Sequence, residues 1–247
     1  MLKRTIIKLS GEALSGSSDH GFCDKTIDSI AKSLKAAIEN GTEIALVVGG
    51  GNFWRGRVGK HVMDRVRADQ IGMLATVMNA IYMSEAFKRH GIKSAIMTPM
   101  PFANITTVYD KYTALDLMSQ GVAVFHAAGL CHPFFSTDSV AALRGAELEV
   151  DSVLYTKNGV GGVYDRNPDS GDAKMYKSLS YKTAIEKQLQ FVDGAALSIL
   201  VEADIPSFVF GLGEKDGIVR ACGGEDKKEF GTALHTNIEE EFYVSGN

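Results

Sequence analysis

The sequence predicts an α/β protein with a mainly parallel sheet covered by helices on both faces, and three observations carry that prediction. Short apolar runs of strand length alternate regularly with stretches of helix length. The runs are apolar throughout rather than alternating with polar residues, as in strands buried on both faces. Glycine-rich segments follow the runs, where an open parallel sheet carries its ligand-binding loops.

Taken in order, "TIIKL" at 5–9 reads as a buried strand that stops at the turn-rich "SGEALSG". The next stretch, "DKTIDSIAKSLKAAIENG", places Ile27, Ile30, Ala31, Leu34, Ala37 and Ile38 on one helical face, with Asp24 as N-cap and Gly41 as the stop. "EIALVV" is a strand, a helix covers much of 62–90, and "KSAIMT" is a strand. "YDKYTALDLMSQG" is a helix, "VAVFHA" a strand, and "TDSVAALRGAELEV" a helix. "SVLYT" is a strand, followed by a long glycine-rich turn, helical segments near 183–203 and the strand "SFVFG". The acidic tail "IEEEFYVSGN" reads as a solvated or interface-capping end. No Pro- or Ser-rich linker divides the chain, so 1–247 is expected to form a single domain. Its two lobes, about 1–150 and about 151–236, precede the tail at 237–247.

With 247 residues, 45% of them hydrophobic and 23% charged, the chain has the composition of an ordinary globular protein. A net charge of −4 argues against a general nucleic-acid binder but leaves room for one phosphorylated ligand held by a local basic cluster. Cys23, Cys131 and Cys222 are odd in number and widely spaced, which indicates neither a disulfide framework nor a zinc site. The N-terminus lacks the apolar length of a signal peptide, and no later run approaches the roughly 20 apolar residues of a membrane span. A cytoplasmic protein with no membrane partner is the reading.

The loops after the strands carry the chemistry. The phosphate-loop pattern GxxxxGK[ST] is absent, and so is GxGxxG after the first strand. What remains is Lys8 at the end of the first strand with Ser10 and Gly11 behind it, and "VVGGGNFWRG" after the second. Three glycines, Gly49, Gly50 and Gly51, followed by Arg55, suit backbone N–H groups and a guanidinium converging on phosphate. The plainer reading of Lys8 is a strand-end residue reaching solvent. Asp69, in an otherwise apolar or small helical stretch, is either a surface residue or an acceptor for sugar hydroxyls. Asp138 and Asp193 read most simply as helix N-caps, and the Met-rich segment 73–83 as core filling.

Five ordered stretches, "KRTIIKLSGEAL", "VVGGGNFWRG", "DQIGMLATVMNA", "PFFSTDSVAALRGAELEVD" and "GVYDRNP", together resemble the bacterial UMP kinases of the amino acid kinase family. The resemblance runs from about residue 3 to the "GTAL" near 234. It implies a three-layer αβα sandwich, assembled as a homohexamer, that transfers the γ-phosphate of ATP to UMP with Mg²⁺. It also implies that Lys8, Leu9, Ser10, Gly11 and Gly51 bind the ATP phosphates and that Gly50 and Thr137 hold the acceptor phosphate, with Arg55 serving both. Asp69 takes the ribose hydroxyls, and Leu130, Cys131, His132, Pro133, Phe134, Phe135, Ser136 and Thr137 line the uracil pocket. Asn158, Tyr164 and Asn167 sit at the adenosine site, and Asp138 lies by the reacting phosphates, orienting Lys8 and assisting the metal.

The chemistry agrees with that inventory. The second ionisation of a phosphate monoester lies near pKa ~6, so the nucleophile is already anionic at neutral pH and needs no strong base. Catalysis then rests on alignment and charge neutralisation.

The sequence also departs from the family pattern. Leu130, Cys131 and His132 stand where G-T-G-N-P-F-F has threonine, glycine and asparagine, and Gly161 and Asn167 stand where aspartates are usual. Ser84, Ala95 and Val122 stand where some members carry GTP-sensing arginines, which implies little GTP activation of that type. Two alternatives therefore accompany the UMP kinase expectation: a paralogue with a different phosphorylated acceptor, and a nucleotide-binding regulatory protein with little turnover.

Overall fold

The computed structural model describes residues 1–54, 63–223 and 230–243. The first strand, β1 (Arg4–Leu9), sits at the middle of a ten-stranded sheet because its side chains are wanted on both faces. Ile6 points into one apolar layer, and Ile7 and Leu9 point into the other, as the two-residue period of a strand requires. A 3-10 turn (Gly11–Ser15) leads to α1 (Asp24–Glu39), β2 (Glu43–Val48), α2 (Arg65–Arg89), β3 (Ser94–Thr98), the short β4 (Thr107–Val108), α3 (Lys111–Ser119) and β5 (Ala123–His126). The chain continues through α4 (Thr137–Glu147), β6 (Ser152–Lys157), β7 (Tyr176–Ser180), α5 (Tyr181–Glu186), α6 (Gly194–Glu202), β8 (Ser207–Gly211), α7 (Gly217–Gly223), β9 (Thr232–His235) and β10 (Glu241–Phe242).

The strand order is β10-β7-β9-β8-β6-β1-β2-β5-β3-β4. From β8 to β4 every neighbouring pair is parallel. β9 runs antiparallel to β8, and β10 antiparallel to β7. The chain lays strands outward from β1 on one side and then returns to β6 on the other, so the order reverses at β1. Such a reversal opens a crevice beyond the carboxyl ends of the central strands.

Helices cover both faces, giving the expected αβα sandwich. Ile27 and Leu34 of α1, Met83 and Phe87 of α2 and Ile218 of α7 pack with Ile7, Leu46 and Phe125. Val140 of α4, Ala114 of α3, Ala184 of α5 and Leu200 of α6 pack with Ile6, Val47 and Val153 on the opposite face. Fully burying each large aliphatic side chain contributes about 1.5–3 kcal/mol before entropy is counted.

The α1 face is as the spacing predicts, except that Ile38 is only partly buried. Asp24 is not its N-cap. Cys23 holds that position, and Asp24 is the first helical residue, where a carboxylate suits the positive end of the helix dipole and accepts from Tyr82 Oη at 2.7 Å. Met83 is core, as expected of the Met-rich segment, whereas Met78 is half exposed. Five elements carry no clear periodic signal: β4 and β10 are two residues each, α7 and β9 are short, and β7 ("YKSLS") reads as polar. The tail is not simply solvated. Its Glu241–Phe242 forms the edge strand β10 paired with β7, and Phe242 stacks on Tyr176 with ring centroids 4.2 Å apart. Residues 244–247 of the tail lie outside the described residues. Among the described residues, no helix is long and apolar enough to cross a membrane.

Candidate active site

Two lysines and one aspartate meet where β1, β6 and α4 converge. Lys8 is the penultimate residue of β1, Lys157 ends β6, and Asp138 lies in the first turn of α4. Lys8 Nζ is 3.0 Å from Asp138 Oδ1, and Lys157 Nζ is 3.8 Å from Oδ2. All three side chains are at most 20% exposed, so their mutual attraction is screened far less than on an open surface. Burial pushes the Lys157 ammonium below the ordinary lysine range, Asp138 works against that, and the charge of Lys8 adds to it. Lys157 also donates to the carbonyl of Phe191, and Tyr155 Oη donates to the carbonyl of Asp138 at 3.2 Å.

Asp138 is not the cap of its helix. Ser136 is, its Oγ accepting from Asp138 N at 2.9 Å, which frees the Asp138 carboxylate to face the lysines. Asp193 does cap α6, accepting from Ala195 N at 2.9 Å and Ala196 N at 3.0 Å. It also accepts from the hydroxyls of Ser136 and Ser139, so one carboxylate ties the start of α4 to the start of α6. Burial raises the pKa of Asp193, but these hydrogen bonds outweigh it and hold the group below the usual carboxylate range. In sequence Asp193 shows only as a cap, with no sign of its second task. Sequence reasoning misses Lys157 altogether, although a cation ending an apolar strand is the same signal that marks Lys8.

The glycines have a steric reason of their own. A Cβ on Gly11 would lie 2.1 Å from the Gly49 carbonyl oxygen and 2.7 Å from Gly51 N, so the loops after β1 and β2 can cross only as bare backbone. A Cβ on Gly50 would lie 2.9 Å from the Gly72 carbonyl oxygen of α2. Among the described residues, the N–H groups of Gly50 and Gly51 donate to no protein acceptor, and Gly50 lines the smaller of the two cavities described below. Asn79 of α2 holds the loop by donating to Gly49 O at 2.6 Å and pairing reciprocally with Asn52 at 2.7 and 2.9 Å. Both asparagines are buried; a lone amide in the apolar run "MLATVMNAIYM" is the available signal.

A cavity of about 250 Å³ lies at the start of α4, beside Asp138. Gly50, Asp69, Phe135, Ser136 and Thr137 all line it, as does Trp54, which no sequence pattern marks. Asp69 is not a plain surface carboxylate: it is 15% exposed, receives Arg65 Nε at 2.8 Å on both oxygens, and accepts from Phe134 N at 2.9 Å. Leu130 and Cys131 pack partly against the two core layers, Pro133 is half-buried, and His132 and Phe134 are exposed. Cys131 has φ 56°, a left-handed conformation that costs a non-glycine residue about 1–2 kcal/mol and that a glycine adopts freely.

A second cavity, of about 570 Å³, opens between segments 160–168 and 187–191 and has Lys157 in its lining. Tyr164 and Asn167 line it, while Asn158 is exposed outside the lining. Asn167 Oδ1 accepts from Asp169 N at 3.1 Å and so closes a local turn. The Leu9 side chain lies in the core, leaving only its backbone near the loop. Ser10 opens the 3-10 turn without using its hydroxyl as a cap. Arg55 lies outside the described residues.

The arrangement is two cations around one carboxylate, with Asp138 next to Thr137 of the smaller cavity and Lys157 lining the larger. Two fixed cations of this kind are chemically suited to neutralising charge on a phosphoryl group. The amino acid kinase family profile matches residues 3–211. The chain belongs to the amino acid kinase family. Its similarity to solved structures of that family extends over nearly its whole length. It superposes on a UMP kinase from Bacillus anthracis with a TM-score of 0.93 at 31% identity, covering 98% of this chain and 99% of that one. A UMP kinase from Ureaplasma parvum matches with a TM-score of 0.88 at 28% identity, covering 95% and 99%. A uridylate kinase from Archaeoglobus fulgidus, with a TM-score of 0.71 at 24% identity and coverage of 93% and 99%, shares the fold.

For a member of this kinase family the donor set for a divalent metal is sparse but suitable. Among the described residues no three His, Cys, Asp or Glu side chains cluster as a metal cage. Mg²⁺ needs only one or two protein carboxylates when nucleotide phosphates supply the remaining oxygens. Asp138 fits that role, because its buried Oδ1 accepts no aligned hydrogen bond and has only the Lys8 ion pair.

Proposed function

We propose that this chain is a cytoplasmic UMP kinase that transfers the ATP γ-phosphate to UMP, giving UDP for pyrimidine nucleotide synthesis. The observation that carries the reading is the Lys8–Asp138–Lys157 cluster, in which Asp138 follows Thr137 of the smaller cavity and Lys157 lines the larger. The smaller cavity takes UMP, on the side contributed by residues 1–150, and the larger takes ATP, on the side contributed by 151–236. Gly50, Thr137 and Arg55 hold the acceptor phosphate, and Lys8, Ser10, Gly11 and Gly51 hold the donor phosphates. Asp69 receives the ribose hydroxyls by exchanging part of its contact with Arg65. Asp138 would hold the Mg²⁺, which supplies neutralisation of phosphate charge when bound. Lys8 and Lys157 stabilise charge on the transferring group, and no general base is required because the acceptor phosphate is already an anion.

A coupled ADP-release assay with ATP and Mg²⁺ against UMP, CMP, dTMP and GMP tests this reading, run with and without GTP. Turnover with UMP far above the others, changed less than about twofold by GTP, is the expected outcome. Preference for another acceptor would favour the paralogue reading, which the Leu130-Cys131-His132 departure motivates. No turnover with any acceptor would favour a regulatory nucleotide binder.

The homohexamer implied by the family resemblance needs an apolar contact face, and α2 carries one. Ile71, Leu74, Met78 and Ile81 recur at helical spacing and are 37–51% exposed. Light scattering at working concentration is expected to give six times the chain mass. A monomer there would remove the assembly from the proposal.

A further inference from the structure

The C-terminal segment bridges the two walls of the larger cavity. One wall, Val163 and Tyr164, is fixed to the start of β7: Tyr176 N donates to Val163 O at 2.8 Å, and Tyr164 forms an antiparallel bridge with Met175. The C-terminal segment grips that same place. Tyr243 N donates to Met175 O at 3.2 Å, and Phe242 stacks on Tyr176. The opposite wall begins at Lys187, just after α5. Here Glu240 accepts from Thr183 Oγ1 of α5 and lies 3.8 Å from Lys187 Nζ. Lys187 in turn donates to Tyr176 Oη at 3.0 Å, closing a loop of contacts that runs from one wall, through the segment, to the other. Ser178 Oγ, which donates to Glu239 O at 2.6 Å, anchors the segment between them.

The geometry points to segment Glu239–Tyr243 as a strap that sets the width of the donor-nucleotide cavity, with Glu240 as a positioning residue acting through Lys187 and α5. This rests on the reading that ATP occupies that cavity. Glu240 is not among the residues lining the cavity. It restrains a cationic side chain on the cavity wall, while Phe242 and Tyr243 restrain the wall opposite. Loosening either end lets the walls separate and weakens donor binding, whereas the acceptor cavity, built on α2 and the start of α4, is untouched.

The test is steady-state kinetics on the full chain with Glu240→Gln, Glu240→Asp and Phe242→Ala, varying ATP at saturating UMP and UMP at saturating ATP, beside thermal melts. Glu240→Gln and Phe242→Ala are expected to raise the KM for ATP about three- to tenfold, leaving kcat and the KM for UMP within about twofold. Glu240→Asp restores part of the loss. Lys187→Gln, at a half-exposed side chain that leaves the strap in place, is expected to raise the same KM and serves if a strap variant melts early. Unchanged KM for ATP in variants of an active enzyme overturns the strap, as does a parallel change in both KM values. A wild-type chain that turns over no ATP would instead overturn the kinase reading, and the strap with it.

Discussion

Replacing Lys8 with alanine is expected to lower kcat by roughly 10²–10³-fold, the usual cost of removing one preorganised charge donor from a transition state. Lys8 Nζ sits 3.0 Å from a carboxylate whose other oxygen is 3.8 Å from Lys157 Nζ, so the site holds two cations at fixed positions before substrate arrives. In the proposed reaction that preorganisation would make the ammonium effective, since no solvent must reorganise as charge moves onto the bridging oxygens. The loss should fall on kcat, with the KM values moving only a few-fold, because the interaction strengthens in the transition state. A rise in KM with kcat preserved would make Lys8 a ground-state phosphate binder instead. The same change leaves Asp138 Oδ1 buried without its nearest cation, which costs about 1–3 kcal/mol of stability. Melting temperatures must therefore accompany the kinetics, and a variant that stays folded with kcat within tenfold of wild type would remove Lys8 from the chemistry.

Much of this site is legible in the amino-acid sequence because its parts sit at strand ends, and strand ends are marked by apolar runs giving way to glycine or charge. Lys8 and the glycines stand out in that way, and Asp138 stands out at a helix start. The buried supports are harder to see. Asp193 reads as a cap in sequence and is one, but its hydrogen bonds to Ser136 and Ser139 join residues 57 and 54 positions apart. Local patterning carries no such information. The Asn52–Asn79 pair has the same character, two amides 27 residues apart that satisfy each other in the core. The outer strands escape notice for a different reason: β7 and β10 are short and carry serine, lysine and glutamate, so their pairing is decided by tertiary contacts such as Phe242 on Tyr176 rather than by periodicity. The triple glycine illustrates both sides. Sequence reasoning assigns it to ligand approach, whereas the crossing of the Gly11 and Gly49 backbones demands small residues even without a ligand.

One buried group outside the chemistry should govern the response to acid. His126, at the end of β5, is 4% exposed, and its Nε2 has no hydrogen-bond partner among the described residues. The Tyr109 ring meets it edge-on at 5.2 Å, and the Arg144 guanidinium lies 3.8 Å above that same tyrosine ring. Burial, and then the nearby Arg144 charge, push His126 from the ordinary 6.5 down to about 3. The folded chain thus keeps the imidazole neutral, while the unfolded chain protonates it below pH 6.5. Stability is fully present above that pH and falls as pH drops toward 3, by about 1.4 kcal/mol per unit, or about 2 kcal/mol at pH 5. His126→Phe keeps the ring contact with Tyr109 and removes both the proton site and the orphaned nitrogen. The variant is expected to be about 1 kcal/mol more stable than wild type near pH 7.5, and about 3 kcal/mol more stable at pH 5. Urea denaturation at the two pH values measures this directly. If wild type and variant lose the same stability between them, His126 is not the acid-sensitive group, and the loss must be sought among the carboxylates whose pKa values the fold lowers, Asp193 first.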